Sequence, residues 1–141
     1  MPYLLILISF FLDQSSKWFF REIVLKDIDH IKLFEYLNIS EVWNTGVSFG
    51  MLNSFDYSVL VAISLALSFG LFIAMLKTKS KYLKIGLALI IGGALGNSLD
   101  RIIHGAVYDF IDFHINNWHW PAFNFADCSV CIGAGFILLS R

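Results

Sequence analysis

Charged side chains are scarce in this sequence. They make up 15% of its 141 residues, ten Lys and Arg against eleven Asp and Glu, where a water-soluble domain usually carries about a quarter. The near balance leaves no basic surface, which excludes a nucleic-acid partner, because phosphate neutralisation needs clustered cations. Two prolines and ten glycines exclude a collagen-like or low-complexity chain. Two cysteines are too few for a disulfide framework. What the chain has in excess is apolar surface: 57% hydrophobic residues, 16% aromatic, and a mean hydropathy of +0.70. Such a chain belongs largely in lipid.

A bilayer core of about 30 Å needs roughly 20 apolar residues in a helix, and four stretches approach that length. Tyr57 to Leu76 is twenty residues without a charge. Pro2 to Phe20 is apolar for eleven residues, then meets Asp13 and Lys17 and closes on Trp18, Phe19 and Phe20 as an interfacial belt. Tyr82 to Leu99 carries Lys84 near one end, and Ala122 to Ser140 holds a single ionisable residue, Asp127. The predicted class is therefore a membrane all-α protein, with transmembrane helices over about 2–20, 57–76, 82–99 and 122–140. One domain, 1–141, is expected.

Lys77, Lys79, Lys81 and Lys84 crowd between spans two and three, and short basic loops stay in the cytoplasm. That places both chain ends in the cytoplasm and loops 21–56 and 100–121 outside. The two outer loops hold four of the ten cations but nine of the eleven acids. The N-terminal stretch reads as a retained span, since no basic region precedes it and no A-x-A-like site follows it. Only fourteen residues follow Asp127, about 21 Å of helix, so a cytoplasmic tail beyond Arg141 is expected. Within the first outer loop, Ile31 to Leu52 mixes β-branched, aromatic and polar residues around an Asn-Thr-Gly turn signal. A small extracytoplasmic β-sheet at the membrane surface is predicted there.

Acids at membrane depth are costly and are functional candidates by default. Asp13, Asp100, Asp109 and Asp127 all fall at the outer ends of spans or beside them. Asp13 and Lys17 are spaced i,i+4 and share a helix face, either as a local ion pair whose Lys reaches the interface or as a contact for substrate or headgroup. Asn97, Asp100 and Arg101 share a face at the outer end of span three. Gly92 and Gly96, with Gly93 beside them, allow close helix packing. Asp109 and Asp127 lack a cationic neighbour in sequence. If they met, repulsion in a low-dielectric site would keep one protonated and the other ionised, the pairing by which aspartic proteases activate water. Helix capping explains Asp127 equally well.

Five ordered motifs bear on that choice: Asp-Gln-x-x-Lys (13–17), Asn-Thr-Gly-Val-Ser-Phe-Gly (44–50), Gly-Asn-Ser-Leu-Asp-Arg (96–101), Val-Tyr-Asp-Phe (107–110) and Phe-Asn-Phe-Ala-Asp (123–127). Together they resemble lipoprotein signal peptidase, that is signal peptidase II, a family of bacterial membrane aspartyl peptidases. The resemblance implies cleavage of prolipoproteins just before a diacylglyceryl-modified cysteine, at the extracytoplasmic side of the bacterial plasma (inner) membrane. It implies Asp109 and Asp127 as the catalytic pair, and Asn44, Gly46, Asn97, Arg101 and Asn124 as residues that line the site or hold substrate. Asp13, Lys17 and Asp100 take supporting positions, and Asp112 is the near competitor of Asp109. No cofactor and no metal are expected. The expected partners are lipidated precursors and membrane lipid, and the expected state is a monomer. Trp43 and Phe49 near the sheet's turn suggest a lid that excludes bulk water.

The main rival is a membrane thiol oxidoreductase using Cys128 and Cys131, a C-x-x-C at an outer helix end, although an electron relay ordinarily needs a second pair. Acids at membrane depth also build proton-coupled transporters, but inverted-repeat symmetry is missing here. His104, His114 and His119 near Asp112 match no standard zinc spacing and read as interfacial side chains.

Overall fold

A computed structural model describes residues 1–46 and 56–140. The expectations for Val47, Ser48, Phe49 and Gly50, for the end of the first-loop sheet at Leu52 and for the tail beyond Arg141 lie outside the described residues. Among the described residues there are four α-helices and one antiparallel sheet: α1 (Pro2–Phe19), β1 (His30–Phe34), β2 (Leu37–Asn44), α2 (Tyr57–Lys77), α3 (Lys81–His104), β3 (Val107–Ile115), β4 (Trp118–His119) and α4 (Phe125–Leu138).

The helix ends follow their sequence. Pro2 opens α1, where a missing N–H costs nothing. Asp56 caps α2 by accepting from the Ser58 N–H at 2.8 Å, and Ser80 caps α3 through the Leu83 N–H at 3.3 Å. Gly105, at φ 74°, ends α3 in the left-handed region, a conformation that favours glycine. Span one does not stop at Phe20 as expected, because α1 continues into a single π-helical turn over Phe20–Val24.

Helix α3 is the axis of the bundle and packs against α1, α2 and α4. In lipid the hydrophobic effect does not drive helices together, so close backbone approach and polar contacts must. The glycines supply that approach. A Cβ on Gly92 would fall 2.7 Å from the Ile6 carbonyl of α1, and one on Gly93 2.5 Å from the Ala126 carbonyl of α4. The outer faces are apolar, with Phe11, Phe69 and Leu138 more than half exposed. Two helices, α2 and α3, are long and apolar enough to cross a membrane. Helix α4 is 14 residues and starts at Phe125, not at Ala122, because Phe123 is engaged in a β-bridge with Ile111 and Asn124 is the N-cap.

The sheet also differs from the expectation. Among the described residues it is four-stranded in the order β1-β2-β3-β4, so residues 107–119 contribute half of its strands. Strand β2 pairs antiparallel with β3, setting Val42 opposite Asp109 and Asn44 opposite Val107. Pairing between segments so distant in sequence depends on side-chain complementarity across strands, which alternation within one segment does not reveal. Leu25, Ile39, Tyr108 and Phe110 form the core beneath the sheet, with Phe20 and Phe125 against it. The sheet is thereby clamped onto α1 and α4.

Candidate active site

Four elements converge where the C-terminal end of α3 and the N-terminus of α4 meet the sheet. Strand β3 carries Asp109, β2 carries Asn44, α3 carries Asn97 and Arg101, and α4 carries Asp127. All five line one cavity of about 430 Å³, whose remaining wall is mostly apolar and runs between α2, α3 and α4. Asp109 and Asp127, 18 residues apart in sequence, thus share a compartment.

Asn124 couples the two acids. Its side-chain oxygen accepts from the Asp127 N–H at 3.0 Å while its own N–H donates to Asp127 Oδ2 at 3.2 Å, a reciprocal capping box. Its Nδ2 donates to Asp109 Oδ1 at 2.6 Å. Asn44 Nδ2 donates to Asp109 Oδ2 at 3.2 Å, and Asn97 Nδ2 donates to Asp127 Oδ1 at 3.0 Å. Each carboxylate is therefore held through both oxygens by neutral amides. Among the described residues neither forms an ion pair. Burial, together with the nearby Asp127, pushes the Asp109 carboxyl up from 3.8 to about 7, against the pull of its amide donors and Lys17. Desolvation and a like charge both disfavour ionisation.

The supporting residues stand behind this pair. Lys17 is buried and lies 2.8 Å from both Asp13 and Asp100, with its third N–H donated to Asn97 Oδ1 at 2.9 Å. The alternatives in which Lys17 reaches the interface, or in which Asp13 and Lys17 contact substrate or headgroup, do not hold here, because the side chains are enclosed. Asp13 Oδ1 accepts from the Ala126 N–H at 2.9 Å and so fixes the first turn of α4. Asp100 Oδ2 accepts from the Tyr108 N–H at 3.1 Å and fixes the start of β3. The cluster thus holds the two elements that carry the acids. Gln14, given no role by sequence, joins it by donating to Asp100 at 3.0 Å and to the Gly96 carbonyl at 3.1 Å. A glutamine one residue from a buried acid in a span was the available signal.

Both backbone groups of Gly46 are occupied. Its N–H donates to Asn44 Oδ1 at 3.0 Å and its carbonyl accepts from the Arg101 guanidinium at 2.7 Å. Gly46 is thereby tied to Arg101 and Asn44, and Asn124 to both acids. Asp112 points elsewhere: it pairs with His119 Nδ1 at 2.7 Å and accepts from Asn38 at 3.0 Å. Burial opposes its ionisation but is outweighed by those partners, and its carboxyl stays below the usual range. His114 stacks on His119, and among the described residues no group of three or more His, Cys, Asp or Glu side chains is arranged to hold a metal. Cys128 and Cys131 are free thiols on α4.

The family model described as signal peptidase (SPase) II matches residues 5–141. The lipoprotein signal peptidase of Anaplasma phagocytophilum (strain HZ) is 44% identical over 127 residues, 86% of this chain and 79% of its own. The protein of the same name from Yersinia enterocolitica (serotype O:8 / biotype 1B) is 40% identical over 132 residues, 89% and 77% of the two chains. A bacterial membrane enzyme solved by the in meso method is similar in structure, with a TM-score of 0.86 and 28% identity over 99% of this chain and 85% of that one. These relatives give the thiol oxidoreductase reading no support. With a matched model over nearly its whole length and relatives this close, the chain belongs to the signal peptidase II family.

Proposed function

We propose that this protein removes the signal peptide from diacylglyceryl-modified prolipoproteins by cleaving just before the lipidated cysteine, with Asp109 and Asp127 as the catalytic pair. One observation carries the reading: two carboxylates that form no ion pair among the described residues, joined through Asn124, face one cavity whose remaining wall is largely apolar. A lipidated, membrane-spanning substrate suits such a wall, which can take its apolar chains.

The chemistry follows from the charge state. With the Asp109 carboxyl moved to about 7, the pair holds one proton near neutral pH. The ionised member takes a proton from water, and the resulting nucleophile attacks the scissile carbonyl. The protonated member donates to the developing oxyanion, and a proton later passes to the leaving amine. The Asn44, Asn97 and Asn124 amides keep both carboxylates oriented without adding charge. Arg101, tied to Gly46, holds the β2 end of the site and lies close enough to favour negative charge there.

The single domain, 1–141, crosses the membrane four times in this reading, with both termini in the cytoplasm. The lysine-rich turn between α2 and α3 lies sixteen residues from Asn97, about 24 Å along the helix, which suits opposite faces of a bilayer core of about 30 Å. The acids then sit at the extracytoplasmic boundary of the inner membrane, where lipid brings substrate and the outer side brings water. A monomer is sufficient, since one chain supplies every group named.

The test is incubation of purified protein with a diacylglyceryl-modified precursor and its unlipidated twin, with and without a chelator. Cleavage confined to the lipidated form and indifferent to chelation is expected. Equal cleavage of both forms, or loss of activity on chelation, contradicts the reading.

A further inference from the structure

Helix α2 is the purest apolar span in the chain, yet it places Ser64 and Ser68 four residues apart, on one face, and both line the cavity below the carboxylates. The two hydroxyls differ. Ser64 Oγ lies 2.9 Å from Ser98 Oγ on α3, and Ser98 donates to the Ala94 carbonyl at 2.7 Å, so this pair is satisfied within the protein. Ser68 is only 5% exposed, and among the described residues its Oγ has no hydrogen-bond partner, not even the back-bond to the preceding turn that a helical serine commonly makes. A buried hydroxyl left unpaired is costly, and in hydrocarbon no water relieves it. Its neighbours along the wall, Leu67, Leu71, Ile90 and Val130, have no polar side chain to offer it.

We propose that Ser68 is a specificity-determining residue whose hydroxyl donates to an ester carbonyl of the substrate's diacylglyceryl group. The inference rests on the function proposed above. Depth supports it. Ser98 follows Asn97, which holds Asp127, so the Ser64–Ser98 contact marks the level of the acids, and Ser68 lies one turn, about 6 Å, further into the membrane. A precursor with its scissile bond at the acids carries the glyceryl esters a few bonds from the adjacent cysteine, on their way into the bilayer. Serine has three staggered χ1 wells, so the hydroxyl turns to such a ligand at small cost. The other carbonyl source at this depth is the signal peptide's own main chain, whose last helical turn leaves carbonyls unpaired.

The experiment compares wild type, Ser68→Ala and Ser68→Thr in phospholipid-free detergent on two synthetic precursors, one with the ordinary diester lipid and one with a diether lipid lacking both carbonyls. For Ser68→Ala on the diester, KM is expected to rise about three- to tenfold with kcat unchanged, the size of one neutral hydrogen bond. Ser68→Thr should restore it, and on the diether precursor wild type and Ser68→Ala should have the same KM. Because the substitution removes an unpaired hydroxyl, thermal stability should hold or rise, which a structural role for the hydroxyl would not allow. An equal rise on both precursors assigns the hydroxyl to a peptide carbonyl and overturns the ester assignment. No rise on either overturns the site altogether. Failure of wild type to cleave either precursor strikes instead at the function on which the inference rests.

Discussion

Two groups of largely enclosed acids lie side by side where the C-terminal end of α3 meets the sheet, and they are built on different principles. Asp13 and Asp100 share the Lys17 ammonium at 2.8 Å each, and they also accept from backbone N–H groups of α4 and β3 and from Gln14. Among the described residues, Asp109 and Asp127 are held by asparagine amides and by the α4 N-cap. The first group is paired directly with a cation and closed, the second is oriented by neutral amides and faces a cavity. Residue type is the same in both, so in the proposed function direct contact with a cation is what separates scaffold from chemistry.

The comparison predicts different failures for the two groups. Asp109→Asn or Asp127→Asn should lower cleavage of a lipidated precursor about a thousandfold or more, while thermal unfolding shows an intact fold. Asp109→Asn should even gain stability toward neutral pH. The folded state holds the Asp109 proton up to about 7 and the unfolded chain only to about 4, so wild-type stability falls as pH rises between those values, and the asparagine variant lacks that fall. Lys17→Met should instead lose about 3 kcal/mol or more in an unfolding titration, because it strands two buried carboxylates. Should Lys17→Met keep full stability and lose only kcat, the separation of roles is wrong.

Smaller effects sharpen the same contrast. A Cβ on Gly96 would lie 2.5 Å from Asp13 Oδ2, and Gly96→Ala is expected to cost about 1–3 kcal/mol by forcing the closed cluster apart. Gly70→Ala, with nothing within 4 Å, should be neutral or stabilising by up to about 1 kcal/mol. Least of all, Asp112→Asn gives up a contact with a half-exposed His119, worth under about 1 kcal/mol, and leaves turnover unchanged. The outcome that matters there is a matched assay beside Asp109→Asn.

Much of this was legible because charge is so scarce that each acid near a span stands out. Asp109 and Asp127 were separable from Asp112 only through the ordered motifs, since the physical difference, an amide clamp against a histidine pair, is made by strands β2 and β3 meeting across 60 residues and more. The i,i+4 spacing found the Asp13–Lys17 contact but not the burial of Lys17, because Asp100 and Asn97 arrive on another helix. The capping pattern Asn124-x-x-Asp127 was readable but not its second function as a link to Asp109, which requires β3 to lie against the start of α4. Ser68 carried a signal in sequence, a polar residue one turn from another in an unbroken apolar span, that only the cavity made meaningful.

The most direct measurement is the pH dependence of kcat on a lipidated precursor that does not itself titrate between pH 5 and 9. A pair sharing one proton through Asp109 predicts a rate that falls tenfold per pH unit once pH passes about 7, as the second carboxyl ionises. A rate that stays level or climbs through pH 9 would contradict the shared proton and with it the two-carboxylate centre.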